Sequence, residues 1–249
     1  MNRNIAYQTS QLAQFFAGNR VTWAQFYESE RVIIEQLKLD REHTILDIGC
    51  GCGGLGLALR ERFGVENYTG VEINQRAAEV GRQMNPEARI LCGDFLDLGH
   101  TELRDQCYTH VFSLSCVDWN LRFADMLTAA WNFVLPGGHL IATLRLVVGE
   151  GCNDINRSYQ YINYEGIREG ERAAYVVLNA ASLIRELISF APTNITAYGY
   201  WGAPSATAVT PYARLCFCAF SISKKSPATS GLKVDLRLPE EILAAIGSP

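Results

Sequence analysis

The sequence predicts an α/β fold: a seven-stranded, doubly wound and mainly parallel sheet with an antiparallel C-terminal strand and an N-terminal helical cap. Three observations lead to this prediction. Strand-like and helix-like hydrophobic periods alternate between residues 44 and 146, a glycine-rich turn directly follows the first strand, and no helix separates the last two strand-like segments. With 249 residues, 48% of them hydrophobic, the chain is long enough to form one such domain around a large core.

The hydrophobic period distinguishes helices from strands along the chain. Helical spacing predicts two N-terminal helices, at 9–17 and 23–37. Runs of β-branched and aromatic residues predict the strands, at 44–48, 68–73, 89–92, 109–115, 139–146, 195–201 and 214–223. The other helices are predicted from the glycine-rich turn to about 63 and at 75–84, 99–106, 122–135 and 180–190. Pro136-Gly137-Gly138 is a strong breaker and is expected to end the helix before it.

The order of these elements also predicts the domain organisation. The connection between the last two strands spans only about a dozen residues, and a parallel pair needs a longer crossover, so these strands are predicted to be antiparallel. We divide the chain into a helical cap at 1–43, a main domain at 44–225 and a C-terminal tail at 226–249. Within the main domain, residues 148–176 are polar, rich in Tyr and Arg and without a clear period, which predicts an insertion.

Charge and composition exclude several classes of partner. With 22 basic and 26 acidic residues the net charge is −4, so the chain lacks the basic field that attracts a domain to nucleic-acid phosphates. The four lysines form no run that could bind an anionic membrane surface. Polar residues interrupt every apolar run in residues 1–20, so no targeting signal is visible. We therefore expect a cytoplasmic protein without a nucleic-acid or membrane partner.

The eight cysteines follow neither a metal-binding nor a disulfide pattern. Cys50 and Cys52 are separated by one residue, as are Cys216 and Cys218, whereas zinc ribbons use pairs separated by two. Without a secretory signal, a disulfide framework is not expected either. We therefore predict no metal site.

The strongest motif is the octapeptide DIGCGCGG, which begins at Asp47 directly after the first strand and precedes a helix. Glycines allow a tight turn and the close approach of a ligand, and a helix N-terminus supplies unpaired N–H groups. Two ligands fit this pattern. Gly49, Gly51 and Gly54 match the G-x-G-x-x-G pattern of dinucleotide sites, with Glu72 at the place of the ribose-binding acid. The first seven residues also form D-x-G-x-G-x-G.

Residues after the next two strands distinguish between these ligands. Glu72 ends the second strand, where a carboxylate can accept hydrogen bonds from both ribose hydroxyls. Asp94 and Phe95 follow the third strand, where an acid can accept from an adenine amino group and an aromatic ring can cover the base. Together with the D-x-G-x-G-x-G loop, the Leu-Pro-Gly-Gly turn and the antiparallel C-terminal pair, these residues resemble the class I S-adenosylmethionine-dependent methyltransferases over about residues 44–223.

The resemblance implies S-adenosyl-L-methionine as the cofactor and S-adenosyl-L-homocysteine as its product. It implies that the cofactor is bound by ten residues: Tyr27, Asp47, Gly49, Cys50, Gly51, Glu72, Ile73, Asp94, Phe95 and Ser115. In similar enzymes an N-terminal segment covers the cofactor, and the insertion at 148–176 lies on the acceptor side. The stretch 197–212 resembles, more weakly, methyltransferases linked to bacterial surface-glycan biosynthesis. Many relatives carry an aspartate before the fourth strand, where this chain has His110.

The acceptor side is predicted from the segment Ser115-Cys116-Val117-Asp118-Trp119-Asn120, which follows the fourth strand. It lacks the Asn/Asp-Pro-Pro-aromatic and Pro-Cys motifs of enzymes that methylate nucleic-acid bases. Asp118 is the candidate for a catalytic base or an acceptor-orienting group, and a cap of the following helix is the alternative. The insertion carries Arg157, Tyr159, Tyr161, Tyr164 and Glu165, whose tyrosines and arginine would form a wall for a polar or anionic small acceptor; a solvated loop is the alternative.

We therefore predict methyl transfer from S-adenosylmethionine to a small molecule or sugar, at a hydroxyl oxygen. Two alternatives stay open from the sequence: an NAD-dependent oxidoreductase that uses the same glycine loop, and a catalytically silent module that binds a nucleoside. The oligomeric state and the acceptor atom also stay open.

Overall fold

The computed structural model describes residue 9 and residues 11–163, 166–227 and 231–247. Parts of the predicted cap and tail lie outside this range, as do Tyr164 and Glu165 of the insertion. The strands of the described residues are β1 (Thr44–Ile48), β2 (Asn67–Glu72), β3 (Arg89–Cys92), β4 (Tyr108–Ser113), β5 (Val134–Val147), β6 (Tyr159–Tyr161), β7 (Arg172–Ala174), β8 (Leu178–Asn179), β9 (Asn194–Gly202), β10 (Ala208–Val209), β11 (Leu215–Ser223) and β12 (Lys233–Arg237). The helices are α1 (Gln11–Gly18), α2 (Glu28–Gln36), α3 (Gly54–Phe63), α4 (Gln75–Met84), α5 (Phe95–Leu98), α6 (Phe123–Asn132), α7 (Ala180–Ser189) and α8 (Glu240–Gly247).

A mainly parallel central sheet organises the fold. Its strand order is β12-β9-β11-β5-β4-β1-β2-β3, and the short β8 pairs with the end of β5. Strand β11 runs antiparallel to both of its neighbours, β5 and β9, whereas the other pairs in the sheet are parallel. The predicted fold class, including the antiparallel C-terminal strand, is therefore confirmed.

The described part of the sheet has nine strands where the sequence predicts seven. The two additional strands are β8, with only two residues, and β12, which lies in the segment predicted as a tail. The sequence of β12, KVDLR, alternates charged and apolar residues and lies at an edge of the sheet, so it carries no strong apolar signal. It pairs in parallel with β9, and the following Leu238 and Ile242 are buried in the core.

Helices cover both faces of the sheet and form two large apolar cores. One core joins β4, β5 and β11 to α6 and α7 through residues such as Leu127, Leu140 and Leu183. The other joins β1 to α2 and α3 through residues such as Ile34, Ile45 and Leu59. The N-terminal segment is thus packed on the sheet through α2, and α1 packs against α4.

Several element boundaries differ from the sequence prediction, and two of these differences have a clear local cause. The short helix predicted at 99–106 is replaced by α5, because the Asp94 carboxylate accepts from the N–H of Leu96 at 3.0 Å and starts the helix earlier. Strand β5 begins at Val134 and runs through the predicted breaker Pro136-Gly137-Gly138. Gly137 adopts a φ of +82°, its N–H donates to the carbonyl of Lys224, and the pairing with β4 shifts register beside it, so this breaker bends a strand.

The predicted insertion contributes two strands, β6 and β7, to a small second sheet, whose third strand, β10, comes from the connection between β9 and β11. Strand β6 pairs antiparallel with β7 on one side and with β10 on the other. The segment leaves and rejoins the domain at one place, where the N–H of Cys152 donates to the Val177 carbonyl at 2.7 Å and the N–H of Val177 donates back at 2.9 Å. The insertion is therefore anchored at its base by Cys152 and Val177 and, through β10, by the connection between β9 and β11.

A row of three histidines crosses the end of the sheet opposite the glycine loop. The His110 ring stacks on that of His139, with centroids 5.2 Å apart, and meets the edge of His43 at 4.8 Å. His110 is buried, and its Nε2 has no hydrogen-bond partner among the described residues. Burial, together with the two neighbouring imidazoles, lowers the pKa of His110 to about 3.

Acid should therefore destabilise the fold through His110. Because its pKa in the folded state lies below the unfolded value of about 6.5, the unfolded chain binds the proton more strongly, and stability is lost as the pH falls from about 6.5 towards 3. We expect a loss of about 2–3 kcal/mol between pH 7 and pH 4 that is absent in His110→Leu. Urea unfolding across this range measures it, and the exposed His100→Leu is the control. Parallel pH dependences for the wild type and His110→Leu would contradict the assignment.

Candidate active site at the carboxyl edge of the sheet

The glycine loop is a left-handed turn packed between two strands. Gly49, Gly51 and Gly53 have φ values of +76°, +55° and +73°, a conformation that other residues rarely adopt. A Cβ at Gly49 would lie 2.4 Å from the Sγ of Cys116. The loop therefore requires glycine at this position for both its backbone angle and its close contact.

The first amides of this loop are bound by the protein itself. The N–H groups of Gly49 and Cys50 both donate to the carbonyl of Val71, at 2.8 and 3.0 Å. The N–H of Gly51 donates to Oε2 of Glu72 at 2.8 Å. These three amides thus fix the shape of the loop against β2.

Glu72 links the loop to the start of α4. Its Oε1 accepts from the N–H of Asn74 at 2.8 Å while Oε2 holds Gly51. The side chain is buried, and burial raises the pKa of Glu72 although these N–H groups favour the charged form. Each carboxylate oxygen has the capacity to accept a second hydrogen bond.

Asp47 lies beneath the loop and not in its opening. The Tyr68 hydroxyl donates to Oδ2 of Asp47 at 2.5 Å. Burial raises the pKa of Asp47 to about 7, against the effects of this hydrogen bond and of the nearby Arg20. Asp47 therefore supports the loop from below, and it borders a small cavity of about 50 Å³ together with Cys50 and Gly51.

A larger cavity of about 800 Å³ opens above the carboxyl ends of the central strands. It brings together most of the residues predicted for the site: Tyr27, Gly49, Glu72, Ile73, Asp94, Phe95, Ser115 and Asp118. The three predicted residues Asp47, Cys50 and Gly51 border the smaller cavity instead, and the two cavities share Gly49 and Ser115. Cys50 is buried, and burial raises the pKa of its thiol well above the usual value, which makes it an inert packing group.

The N-terminal segment covers this site. Arg20 lines both cavities, and its guanidinium forms two hydrogen bonds to the buried Glu30, at 2.8 and 3.1 Å. The carbonyl of Arg20 packs so closely on Gly54 that a Cβ there would lie 2.1 Å away. The N–H of Thr9 donates to Oε2 of Glu171, which connects the segment to the insertion. The described part of the predicted cap thus lies against both cavities.

Asp118 lies on the other side of the cavity in a buried ion pair. Its Oδ2 is 3.2 Å from Nη1 of Arg145, and its Oδ1 has no hydrogen-bond partner among the described residues. Burial raises the pKa of Asp118 to about 6, although Arg145 lowers it. Asp118 does not cap α6, because Arg122 occupies the N-cap position and its N–H is bound by Asn120.

Arg145 was not predicted from the sequence, yet it lines the large cavity beside Asp118. Its guanidinium lies 3.6 Å from the ring centroid of Tyr175 and 4.7 Å from that of Trp119, and it donates to the Asp118 carbonyl at 2.9 Å. The signal was present as the lone charged residue of the apolar strand HLIATLRL. Tyr161 and Tyr200 also line the cavity.

The described part of the chain contains neither a membrane-spanning helix nor a cluster of metal ligands. None of its helices has the length and apolar character needed to cross a membrane. No three His, Cys, Asp or Glu side chains in those residues are grouped in a way that suits a metal ion.

Residues 45–138 match the family model described as a methyltransferase domain, and the predicted class of S-adenosylmethionine-dependent methyltransferase is thereby confirmed for this domain. The match favours a methyltransferase over the oxidoreductase alternative.

Two curated proteins and one solved structure are similar to parts of this chain. The chain is 26% identical over 115 residues to 24-methylenesterol C-methyltransferase 2 of Oryza sativa subsp. japonica, covering 44% of this chain and 31% of that protein. It is 35% identical over 132 residues to the biotin biosynthesis bifunctional protein BioCD of Bordetella avium, covering 49% and 26%. The chain thus spans a third or less of these relatives. The N-terminal domain of EvdMO1, solved with S-adenosylhomocysteine bound, superposes with a TM-score of 0.53 at 14% identity, over 74% of this chain and 75% of that one.

Substitution of Gly49 tests the geometry of the loop. Gly49→Ala should cost more stability than Gly64→Ala, because both residues have a positive φ but only the Cβ at Gly49 meets another atom, the Sγ of Cys116. We expect about 1–2 kcal/mol for Gly64→Ala from the backbone alone, and a larger loss at Gly49. Chemical denaturation measures both. Equal losses of unfolding free energy for the two variants would show that Cys116 moves away from the new Cβ without destabilising the fold.

Proposed function

We propose that this chain transfers the methyl group of S-adenosylmethionine to a hydroxyl oxygen of a small molecule or sugar. The observation that carries the proposal is that Glu72, Asp94 and Asp118 all line the same cavity of about 800 Å³. Its volume falls within the range of roughly 300–1,000 Å³ typical of small-molecule sites. A donor and an acceptor would therefore meet in one enclosed space.

The donor side has the groups that a nucleoside requires. Glu72 is fixed by two backbone N–H groups and keeps acceptor capacity on both oxygens, which suits the two ribose hydroxyls. Phe95 is buried beside the cavity and supplies an apolar wall for the base, with Asp94 next to it in the chain. Gly49, Ile73, Ser115 and Tyr27 would complete this side of the site.

The smaller cavity suits the amino-acid part of the cofactor. It adjoins the donor side at Gly49 and Ser115 and is bordered by Gly51, Cys50 and Asp47. We assign Gly51 and Cys50 to its wall. We assign Asp47 to the support of the loop through its hydrogen bond with Tyr68.

S-adenosylmethionine, when bound, supplies a methyl group that its sulfonium already activates. The protein then has to align an acceptor hydroxyl and keep water out, and the cap and the insertion enclose the cavity for this purpose. Asp118 is the group that receives the hydroxyl proton. With a pKa of about 6 it is mainly ionised at pH 7, and its Oδ1 is not engaged by the described residues.

Binding of the product tests the role of Glu72. We expect Glu72→Gln to weaken S-adenosylhomocysteine binding by about 1–3 kcal/mol, because the neutral amide is a poorer acceptor for two ribose hydroxyls. Isothermal titration calorimetry measures the change. Glu66→Gln is the matched control, since Glu66 is exposed and forms an ion pair with Arg41. An unchanged affinity in Glu72→Gln would remove Glu72 from the site.

Transfer of labelled methyl groups tests the reaction and the role of Asp118. With labelled S-adenosylmethionine and a small-molecule cell extract, we expect the wild-type rate to rise with pH through about 6 and then level off, because Asp118 must be ionised. Asp118→Asn should reduce the rate about 100-fold or more and abolish this pH dependence. Asp125→Asn, an exposed site on α6, is the control.

Two outcomes would contradict this account. Binding of S-adenosylhomocysteine without transfer to any extract component would favour the catalytically silent module. A wild-type rate in Asp118→Asn would assign Asp118 a structural role only.

A further inference from the structure

Three neighbouring residues on one face of the central sheet line the proposed acceptor side of the cavity. Arg145 on β5, Phe217 on β11 and Tyr200 on β9 are direct cross-strand partners, so their side chains lie side by side on one face. All three line the cavity. The opposite wall comes from the insertion, where Gln160 and Tyr161 line the same space.

The described residues that line this cavity include two cations, and each is neutralised by a buried carboxylate. Arg145 pairs with Asp118 at 3.2 Å, and the two side chains are only 6% and 5% exposed. Arg20 pairs with Glu30 at 2.8 Å, and the Glu30 side chain is fully buried. An anionic acceptor would therefore have to separate one of these pairs before it gained a counter-ion.

The same arrangement opposes a cationic acceptor. Three aromatic faces of the cavity already hold guanidinium groups: Arg145 lies over Tyr175 and Trp119, and Arg20 lies over Tyr27 at 5.3 Å. Phe217 and Tyr200 carry no cation from the described residues but share one sheet row with Arg145, so an ammonium group on them would lie close to a like charge. Beside the Arg145–Asp118 pair, neither sign of charge on the acceptor is thus matched.

From this balance we infer that the acceptor is an uncharged, hydroxyl-bearing ring compound, and not a phosphorylated, carboxylated or amine substrate. The inference rests on the proposed methyltransferase function and specifies its substrate class. An uncharged ring can lie against Phe217 and Tyr200 and direct its hydroxyl to Asp118 while both ion pairs stay intact. The Arg145–Asp118 pair is therefore the element that selects against charge.

Three fragments of matched shape test the inference: benzyl alcohol, benzoate and benzylammonium. Each is titrated by NMR into the full chain saturated with S-adenosylhomocysteine. We expect benzyl alcohol to bind and the two charged fragments to bind about tenfold more weakly or less. A preference for benzoate or benzylammonium would overturn the inference, and so would the failure of benzyl alcohol to bind.

Two variants extend the test to the ion pair. Asp118→Asn leaves Arg145 without its counter-charge and should improve benzoate binding relative to benzyl alcohol, whereas Arg145→Met should improve benzylammonium binding. An unchanged order of the three fragments in both variants would exclude the pair as the cause. Retained S-adenosylhomocysteine affinity shows that each variant is folded. If a variant does not bind S-adenosylhomocysteine, the order of the three fragments on the wild-type protein alone decides whether the inference holds.

The failure of this inference is distinguishable from that of the proposed function. If S-adenosylhomocysteine does not bind to the wild type, the proposed function fails. If it binds normally but the fragments show the wrong order, only the assignment of an uncharged acceptor fails.

Discussion

The hydrogen bonds between β2 and the glycine loop are the constraint on which the site depends. The Val71 carbonyl and the Glu72 carboxylate together bind three successive loop amides, and this is possible only because the glycines adopt left-handed angles. The loop in turn sets the position of the N-terminus of α3 and the contact between Gly49 and Cys116. The end of β2 thereby fixes the glycine loop and, through the contact between Gly49 and Cys116, the beginning of the segment that follows β4.

This arrangement gives the glycines a role that differs from that of a phosphate-binding loop. The amides of Gly49, Cys50 and Gly51 are already hydrogen-bonded within the protein, so these residues contribute shape and close approach. The Glu72 carboxylate suits the hydroxyl donors of a ribose, which both S-adenosylmethionine and a dinucleotide carry. The match to the methyltransferase-domain model, and not the charge of Glu72, therefore separates the two ligands.

The sequence predicted the parts of the fold whose signals are local. The apolar run of β1, the glycine turn and the helix α4 were predicted at or near their observed bounds, because period and breaker residues determine them. Strand β12 was missed because its stability comes from pairing with β9 and not from its own composition. Pro136-Gly137-Gly138 was interpreted as the end of an element because a bend within a strand has the same local sequence as a stop.

The candidate site likewise contains residues that local sequence signals predict and residues that only the tertiary structure brings together. Gly49, Glu72 and Asp118 follow strand ends, so their convergence could be predicted from the rule that ligands bind at the carboxyl edge of a parallel sheet. The partnership of Arg145 with Asp118 connects residues 27 positions apart through β5, and Arg20 reaches its position through the packing of the cap. Such contacts depend on tertiary structure, and no motif in this chain encodes them.

The small sheet has a consequence for how this protein can diversify. Two separate stretches of the chain build it, because β6 and β7 lie between Cys152 and Val177, whereas β10 belongs to the connection between β9 and β11. The turn between β6 and β7 can change in length while both pairings stay, and a longer turn adds only a slowly growing entropy of closure. Because residues of β6 line the large cavity, such a change would reshape one wall of it while Glu72 and the glycine loop keep their positions.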